Sequence, residues 1–365
     1  MTARVSLRAL GRATLARQLL LERSDLCVPA AVEHLVGLQA QTPHTWYVGL
    51  WSRLADLDPV AVGRMLEDGQ LVRLALMRST LHLVTVQDAV ALRPVVKPAV
   101  EAVLAGAQSR DLSRVERDGL CAAARDHLAA GPCTGAALGL AMQEHWPDVS
   151  AQNLARAARA WLPLVQVPPR GVWGRSGQAR VALLAGADPS SGLDIAGLVR
   201  RYLAAAGPAT TADLAGWSGV RGMGEVVDRL RPGLLRLAGP DGQDFLDLPD
   251  APRPPEDVEA PVRYLYDFDD VLLSHEDRRR VVGSLTAQDW AEHGYGPTTM
   301  RQPSTVLVDG TIAATWTADR SRERAVLHVR AFRRLNPQER SDVEAEGRRL
   351  LAFLHPGRDH EVRLL

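Results

Sequence analysis

The segment Gly37-Leu-Gln-Ala-Gln-Thr-Pro-His-Thr-Trp-Tyr47 sets two amides, Gln39 and Gln41, at i and i+2. An amide side chain carries one acceptor oxygen and two N–H donors, and it cannot serve as a useful general base. Such a pair can hold a water or a polar substrate atom and aim its carbonyl dipoles at developing positive charge. Following an apolar helix and standing just before a Pro-initiated one, the two amides are expected at a helix end and not on one helix face. Gln-x-Gln alone is a weak signal, because its ordinary use is a backbone cap or a solvent contact. Other chemistry has less to build on. His275-Glu276-Asp277 and His293 raise metal-dependent hydrolysis, yet sequential neighbours rarely point at one ion, and neither His-x-x-x-His nor Cys-x-x-Cys occurs. No Gly-x-Ser-x-Gly elbow marks a hydrolase nucleophile. Cys27, Cys121 and Cys133 are an odd number at wide spacing, which predicts reduced thiols instead of a disulfide framework or a zinc site. The expectation is a site without metal or cofactor.

Composition bounds the partners. The chain has 365 residues, long for one domain, with 46% hydrophobic and 24% charged residues. No apolar run approaches the roughly 18–20 residues that span a bilayer. Met1 to Leu21 scatters arginines through an amphipathic pattern, unlike a secretory leader, so a cytoplasmic chain with no membrane contact is expected. The formal charge is zero, from 43 basic and 43 acidic residues, which at face value argues against nucleic acid. Residues 241–292 alone, however, hold 5 basic against 14 acidic, leaving the remainder at net +9. Phosphate contact needs local positive potential, not global charge. The acidic block is expected on a face turned away from phosphate. All but one of the basic residues are arginine, Lys97 being the exception, which a GC-rich genome explains and which says little about function.

The elements that must position these residues repeat. Arg125-Asp-His-Leu-Ala-Ala-Gly-Pro-Cys-Thr134 matches Arg201-Tyr-Leu-Ala-Ala-Ala-Gly-Pro-Ala-Thr210 at an offset of 76 residues. Each is a helix, a Gly-Pro stop and a threonine able to cap the next helix. Two more helical runs and a hairpin follow each stop, the order of a winged helix-turn-helix. A looser copy precedes them: Ser6 capping a helix to about Leu21, a helix over 30–38, Pro59 at a helix start, and a hairpin of 71–77 with 80–85 around Arg78-Ser79. Beyond the Pro252-to-Pro255 linker the chain is strand-rich, over 262–266, 305–308, 311–317 and 324–332. A helix follows over 337–354 and a closing strand over 361–365. The fold class read from this is α+β, tandem winged helix-turn-helix modules followed by a small β-barrel domain. The divisions are 1–110, 111–188, 189–250 and 258–365.

Several winged helices in one chain suggest extended contact with duplex DNA. Gln39-Ala-Gln41, Ala75-Leu-Met-Arg-Ser-Thr-Leu-His-Leu-Val84, Gly207-Pro-Ala-Thr with Asp213-Leu214 and Trp217-Ser-Gly219, Phe268-Asp-Asp270 with Asp277-Arg278, and Thr305-Val-Leu-Val-Asp-Gly310 together resemble the AlkZ/YcaQ-type winged-helix DNA glycosylases. The likeness runs in order from about residue 10 to 335. It implies a monofunctional glycosylase that excises N7-alkylated purines and unhooks interstrand crosslinks or bulky natural-product adducts, in repair or in self-resistance to a genotoxin. Gln39 and Gln41 match that family's Gln-x-Gln catalytic motif. The implied partner is double-stranded DNA containing alkylated purines, met by a monomer. Trp46, Arg78, His82 and Arg170 are expected at the DNA by position, with Arg170 at a wing tip. A non-catalytic DNA-binding regulator or scaffold is the alternative.

Overall fold

A computed structural model describes residues 3–106, 111–186, 193–295 and 302–365. It is an α+β fold built on three open sheets. The first helix, Leu7–Arg17, starts where the Ser6 hydroxyl accepts from the Ala9 N–H. It stops short of Leu21, with Leu19 at φ 58°. The second, Val28–His34, also ends early. Val36 and Gly37 take φ values of 60° and 91°, so the chain turns out of the helix and Leu38–Gln39 becomes a strand, β2. The helix expected to reach residue 38 is thus corrected. Gly37 is required there, because a Cβ would lie 3.0 Å from the Leu83 carbonyl oxygen and 2.6 Å from Val84 Cγ1.

Helices Trp46–Arg53 and Pro59–Glu67 follow, the latter capped by Asp58 with proline in its first turn. The hairpin of β3 (Leu71–Ala75) and β4 (Leu81–Thr85) turns through Arg78 and Ser79, both at positive φ. In the second unit, helices Arg117–Ala129, Gly135–Gln143 and Ala151–Trp161 precede β6 (Leu164–Val167) and β7 (Arg180–Leu183), with β5 (Cys133–Thr134) between the first two helices. In the third, Ile195–Ala206, Thr211–Ser218 and Met223–Leu230 precede β8 (Leu235–Ala238) and β9 (Asp244–Asp247). Thr134 and Thr210 cap the helices after the two Gly-Pro stops, Thr210 in a reciprocal capping box with Asp213.

The units do not stand apart. β3 pairs with β6 through Arg73↔Gln166 and Leu74↔Val165, giving one sheet in the order β2-β4-β3-β6-β7-β5. β1 (Ala3–Arg4) adds in parallel to β8. Leu74, Val84 and Leu92 share one core with Val199, Leu203, Trp217 and Val227, so the third unit packs behind the first hairpin.

The C-terminal strands form an open sheet, not a barrel. β10 (Arg263–Leu265), β11 (Thr305–Val308), β12 (Thr311–Arg320), β13 (Arg324–Ala331) and β14 (Asp359–Leu364) pair in sequence order, leaving β10 and β14 as opposite edges. The helix Pro337–Leu354 crosses between β13 and β14, and β14 runs parallel to β13. Closure is unnecessary because helices cover both faces. Tyr264, Val306 and Leu327 join the core of that helix, while Leu265, Leu307 and Ile312 pack with Leu15, Leu20, Val271 and Val281. Edge strand β10 is itself covered, with the Ser52 hydroxyl donating to the Tyr264 carbonyl at 2.5 Å.

Candidate active site

Gln39 closes β2, and Gln41 lies two residues on, in the bend that leads to the next helix. Gln39 is directly opposite His82 in the β2–β4 ladder. The ladder continues one step, with the Ala40 N–H donating to the Leu81 carbonyl at 2.6 Å. The Leu81 N–H then goes to Gln41 Oε1 at 2.9 Å, so a side chain replaces the next backbone partner. Gln39 Oε1 accepts from Arg78 Nη2 at 2.7 Å. Both partners can only donate, which identifies the bonded amide atom as the oxygen in each case, Gln39 Oε1 on Arg78 and Gln41 Oε1 on the Leu81 N–H. Each carbonyl keeps a second lone pair and each NH2 its donors. Gln39 is only 4% exposed, whereas Gln41 is open to solvent. One amide is therefore buried and the other reaches solvent.

Arg78 is held as firmly as it holds Gln39. Its backbone is left-handed, its Nη1 donates to the Trp217 carbonyl at 2.5 Å, and Gly219 approaches so closely that a Cβ there would lie 3.2 Å from Arg78 Cα. The Trp217-Ser-Gly219 segment thus buttresses the arginine that orients Gln39. Burial lowers the Arg78 pKa, and the nearby Asp270 charge opposes this. Beneath the motif, Arg73 is 1% exposed and donates to the Ala40 carbonyl at 2.7 Å. Burial pulls its pKa down to about 10.

A strap over 266–270 closes the back of the site. The hydroxyls of Thr42 and Thr45 donate to the two Asp267 carboxylate oxygens at 2.5 and 2.6 Å. Asp269 forms a bidentate pair with Arg53 at 2.7 and 2.8 Å, both side chains fully buried, and Arg53 also reaches Gln18 Oε1 and the Gly49 carbonyl. Asp270 is buried, and its Oδ2 has no hydrogen-bond partner. Burial, with Asp269 adding to it, pushes its carboxyl up to about 7. The acidic block is therefore not simply turned away from the site. Asp267 holds the loop that follows the motif, Asp269 pairs with Arg53, and Asp247 is buried in a pair with Arg17.

The raised Asp270 carboxyl has a stability consequence of definite sign. The folded chain binds this proton more tightly than the unfolded chain, whose value is near 3.8. Stability tied to Asp270 is therefore fully present below pH 3.8 and is lost as pH rises through about 7. Asp270→Asn should accordingly stabilise the protein on the order of 2 kcal/mol more at pH 8 than at pH 5. Urea unfolding at the two pH values measures this; an equal gain at both would remove the ionisation account.

The other residues singled out in the sequence do not gather at an open surface. Trp46 is fully buried, stacked on Tyr47 at 3.9 Å with its indole N–H on the Pro43 carbonyl, so it is a core residue. His82 is 1% exposed, and burial and then Arg78 lower its pKa to about 3. Its Nδ1 faces the Thr80 carbonyl and so carries the proton. A buried neutral imidazole offers phosphate no charge. Arg170 is half-buried, donating to the Gly177 carbonyl at 3.1 Å, and its loop leans on the first unit, where the Tyr47 hydroxyl donates to the Gly171 carbonyl at 3.1 Å. It is not a free wing tip. Arg78 is brought to Gln39 instead of standing clear for DNA. Sequence reading missed Arg73, Asp267 and Asp270; the Phe-Asp-Asp run was visible only as part of a motif. His275, for its part, is turned to the Ala206 carbonyl and Arg280, and among the described residues no group of three His, Cys, Asp or Glu could hold a metal.

No helix among the described residues is long and apolar enough to cross a membrane. No curated protein matches the chain by sequence. The solved structure of Streptomyces sahachiroi DNA glycosylase AlkZ is similar in fold, with a TM-score of 0.76 at 19% identity over 99% of this chain and 100% of that one. The sequence matches the family described as DNA glycosylase AlkZ-like over residues 32–353. With nearly nine-tenths of its length inside that match, the chain belongs to the AlkZ-like family of DNA glycosylases, hydrolases that act on N-glycosyl bonds in DNA repair.

Proposed function

We propose that this glycosylase excises N7-alkylated purines and unhooks interstrand crosslinks or bulky adducts, with Gln39 and Gln41 as its catalytic pair. The observation that carries the reading is the fixed, outward-graded amide pair, one oxygen locked by Arg78 and the other by the Leu81 N–H. Alkylation at N7 already makes the purine a good leaving group, so general-acid help is unnecessary. The barrier lies in forming and capturing an oxocarbenium-like sugar. The Gln41 carbonyl, open to solvent, holds the attacking water. The Gln39 carbonyl turns its dipole to the developing charge at C1′, its orientation already set before substrate arrives.

The openness of Gln41 also suits the substrate. An ordinary glycosylase flips its target into a closed pocket, but a crosslinked base is tethered to both strands. The three units, each with helices preceding a hairpin, serve in this reading as winged helices that embrace the duplex and bring it to the motif. Purified protein incubated with duplex containing N7-methylguanine should yield abasic sites, read as alkali-labile breaks, without metal and in EDTA. A panel of bulky and crosslinked N7 adducts then ranks the substrates. Binding without any abasic site on any adduct would replace the reading with a DNA-binding regulator or scaffold.

A further inference from the structure

The β2–β4 ladder lacks one bond at the motif. By register Ala40 lies opposite Leu81, and its N–H donates to the Leu81 carbonyl at 2.6 Å. Residues paired in this way in an antiparallel ladder exchange both N–H···O bonds, so the Leu81 N–H is due to the Ala40 carbonyl. It goes to Gln41 Oε1 at 2.9 Å, while the Ala40 carbonyl accepts from Arg73 Nη2 at 2.7 Å. Arg73 stands on β3, opposite Leu83 of β4 and Gln166 of β6, and is 1% exposed. Its second acceptor is the Arg170 carbonyl at 3.4 Å, and its Nε is buried without a partner. Gly171 closes the far side, where a Cβ would lie 2.6 Å from Arg73 Nη1. A buried guanidinium held only by carbonyl oxygens is costly, and a group left so calls for a reason.

We propose that Arg73 is a positioning residue for the glycosylase reaction: by drawing the Ala40 carbonyl out of the ladder it frees the Leu81 N–H to hold the Gln41 amide oxygen, and so orients the amide that holds the attacking water. This rests on the glycosylase reading of Gln39 and Gln41. A backbone carbonyl and a side-chain amide oxygen compete here for one donor. The carbonyl has the advantage, since it is already in register and has no side-chain rotamers to give up. A charged donor reverses that order, because it offers the carbonyl a bond roughly twice as strong as a neutral N–H does. Without the guanidinium, the Ala40 carbonyl returns to Leu81, the ladder is completed, and the exposed Gln41 side chain turns freely in solvent. The β6–β7 loop backs the guanidinium through Arg170 and Gly171, so the second unit helps to set the motif.

Single-turnover excision of N7-methylguanine is measured for the wild type, Arg73→Met, Gln41→Ala and the double variant. Arg73→Met should lose roughly 10²-fold in rate, the scale of misplacing a group at the reacting centre. Its duplex affinity should change by less than about threefold, since so buried a guanidinium is no phosphate contact. Added to Gln41→Ala, the same replacement should cost less than about threefold more, because its route to the chemistry is already gone. The Leu81 amide gives a second readout in leucine-labelled protein by NMR. Its resonance and exchange rate should respond to Gln41→Ala in the wild type and not in the Arg73→Met background. A residue that only supports the fold would slow excision by one factor in both backgrounds and leave the Leu81 amide responsive to Gln41 in both; either result overturns the proposal. If Arg73→Met fails to fold, Gly171→Ala decides. Its methyl group displaces the guanidinium and should slow excision when Gln41 is present but not when it is alanine, and equal slowing in both overturns the proposal. A wild type that excises nothing sinks the glycosylase reading itself, whereas an active wild type whose losses multiply sinks this inference alone.

Discussion

Replacing Gln39 and Gln41 together with alanine should abolish base excision, cutting the single-turnover rate by at least ~10³-fold, the scale of losing preorganised polar groups at a developing charge. Duplex affinity should change by less than about threefold, since phosphate contacts dominate binding and neither amide is charged. The two positions are not equivalent. Gln39→Ala also strips Arg78 of an acceptor in a buried setting, so it should lower stability more than Gln41→Ala, which uncovers the Leu81 N–H beside an exposed position where water can replace the amide. Abasic-site yield and fluorescence anisotropy on the same adducted duplex separate the two effects. Near-normal excision by the double variant would remove the pair from catalysis. A parallel collapse of binding would make the pair a docking element instead.

The contrast between what the chain disclosed and what it hid follows from the range of the interactions. Local chemistry was readable. Alternating apolar residues around Asp309-Gly310 marked β11 and β12, and the threonines after the Gly-Pro stops cap helices as their spacing implied. The neighbourhood of the motif was not readable. Whether Gln39 ends a helix or enters a strand turned on the left-handed Val36-Gly37 pair and on a partner strand more than forty residues away. Trp46 and His82 carry groups suited to DNA, yet packing buried both. A barrel was a fair reading of the strand order, but closure depends on what covers the faces, and the helices that do so include Leu7–Arg17 from the other end of the chain. The acidic block is the clearest case. Counting charge located it, but only the fold shows Asp247 and Asp269 neutralised by buried arginines and Asp267 bonded to the motif's own threonines.

That internal pairing carries the largest stability effect expected. Asp269→Ala should destabilise the protein by about 3–5 kcal/mol, because it strands the Arg53 guanidinium, 1% exposed, without its counter-charge. The residual acceptors, Gln18 Oε1 and the Gly49 carbonyl, cannot supply charge. The damage should also reach the active site. Arg53 ends the helix that begins just after the Gln-x-Gln loop, and Asp269 lies in the strap whose Asp267 holds Thr42 and Thr45. Freed at one end, the strap no longer fixes the loop from behind, so excision should fall further than the folded fraction accounts for. The double replacement Arg53→Met with Asp269→Leu is the control. It removes both charges together and should recover much of the lost stability, as apolar substitutes for buried pairs commonly do, while leaving excision impaired. Urea midpoints and single-turnover rates on the wild type and these two variants test this. A loss under about 1 kcal/mol for Asp269→Ala would mean that water reaches Arg53 and that the strap is not locked by this pair.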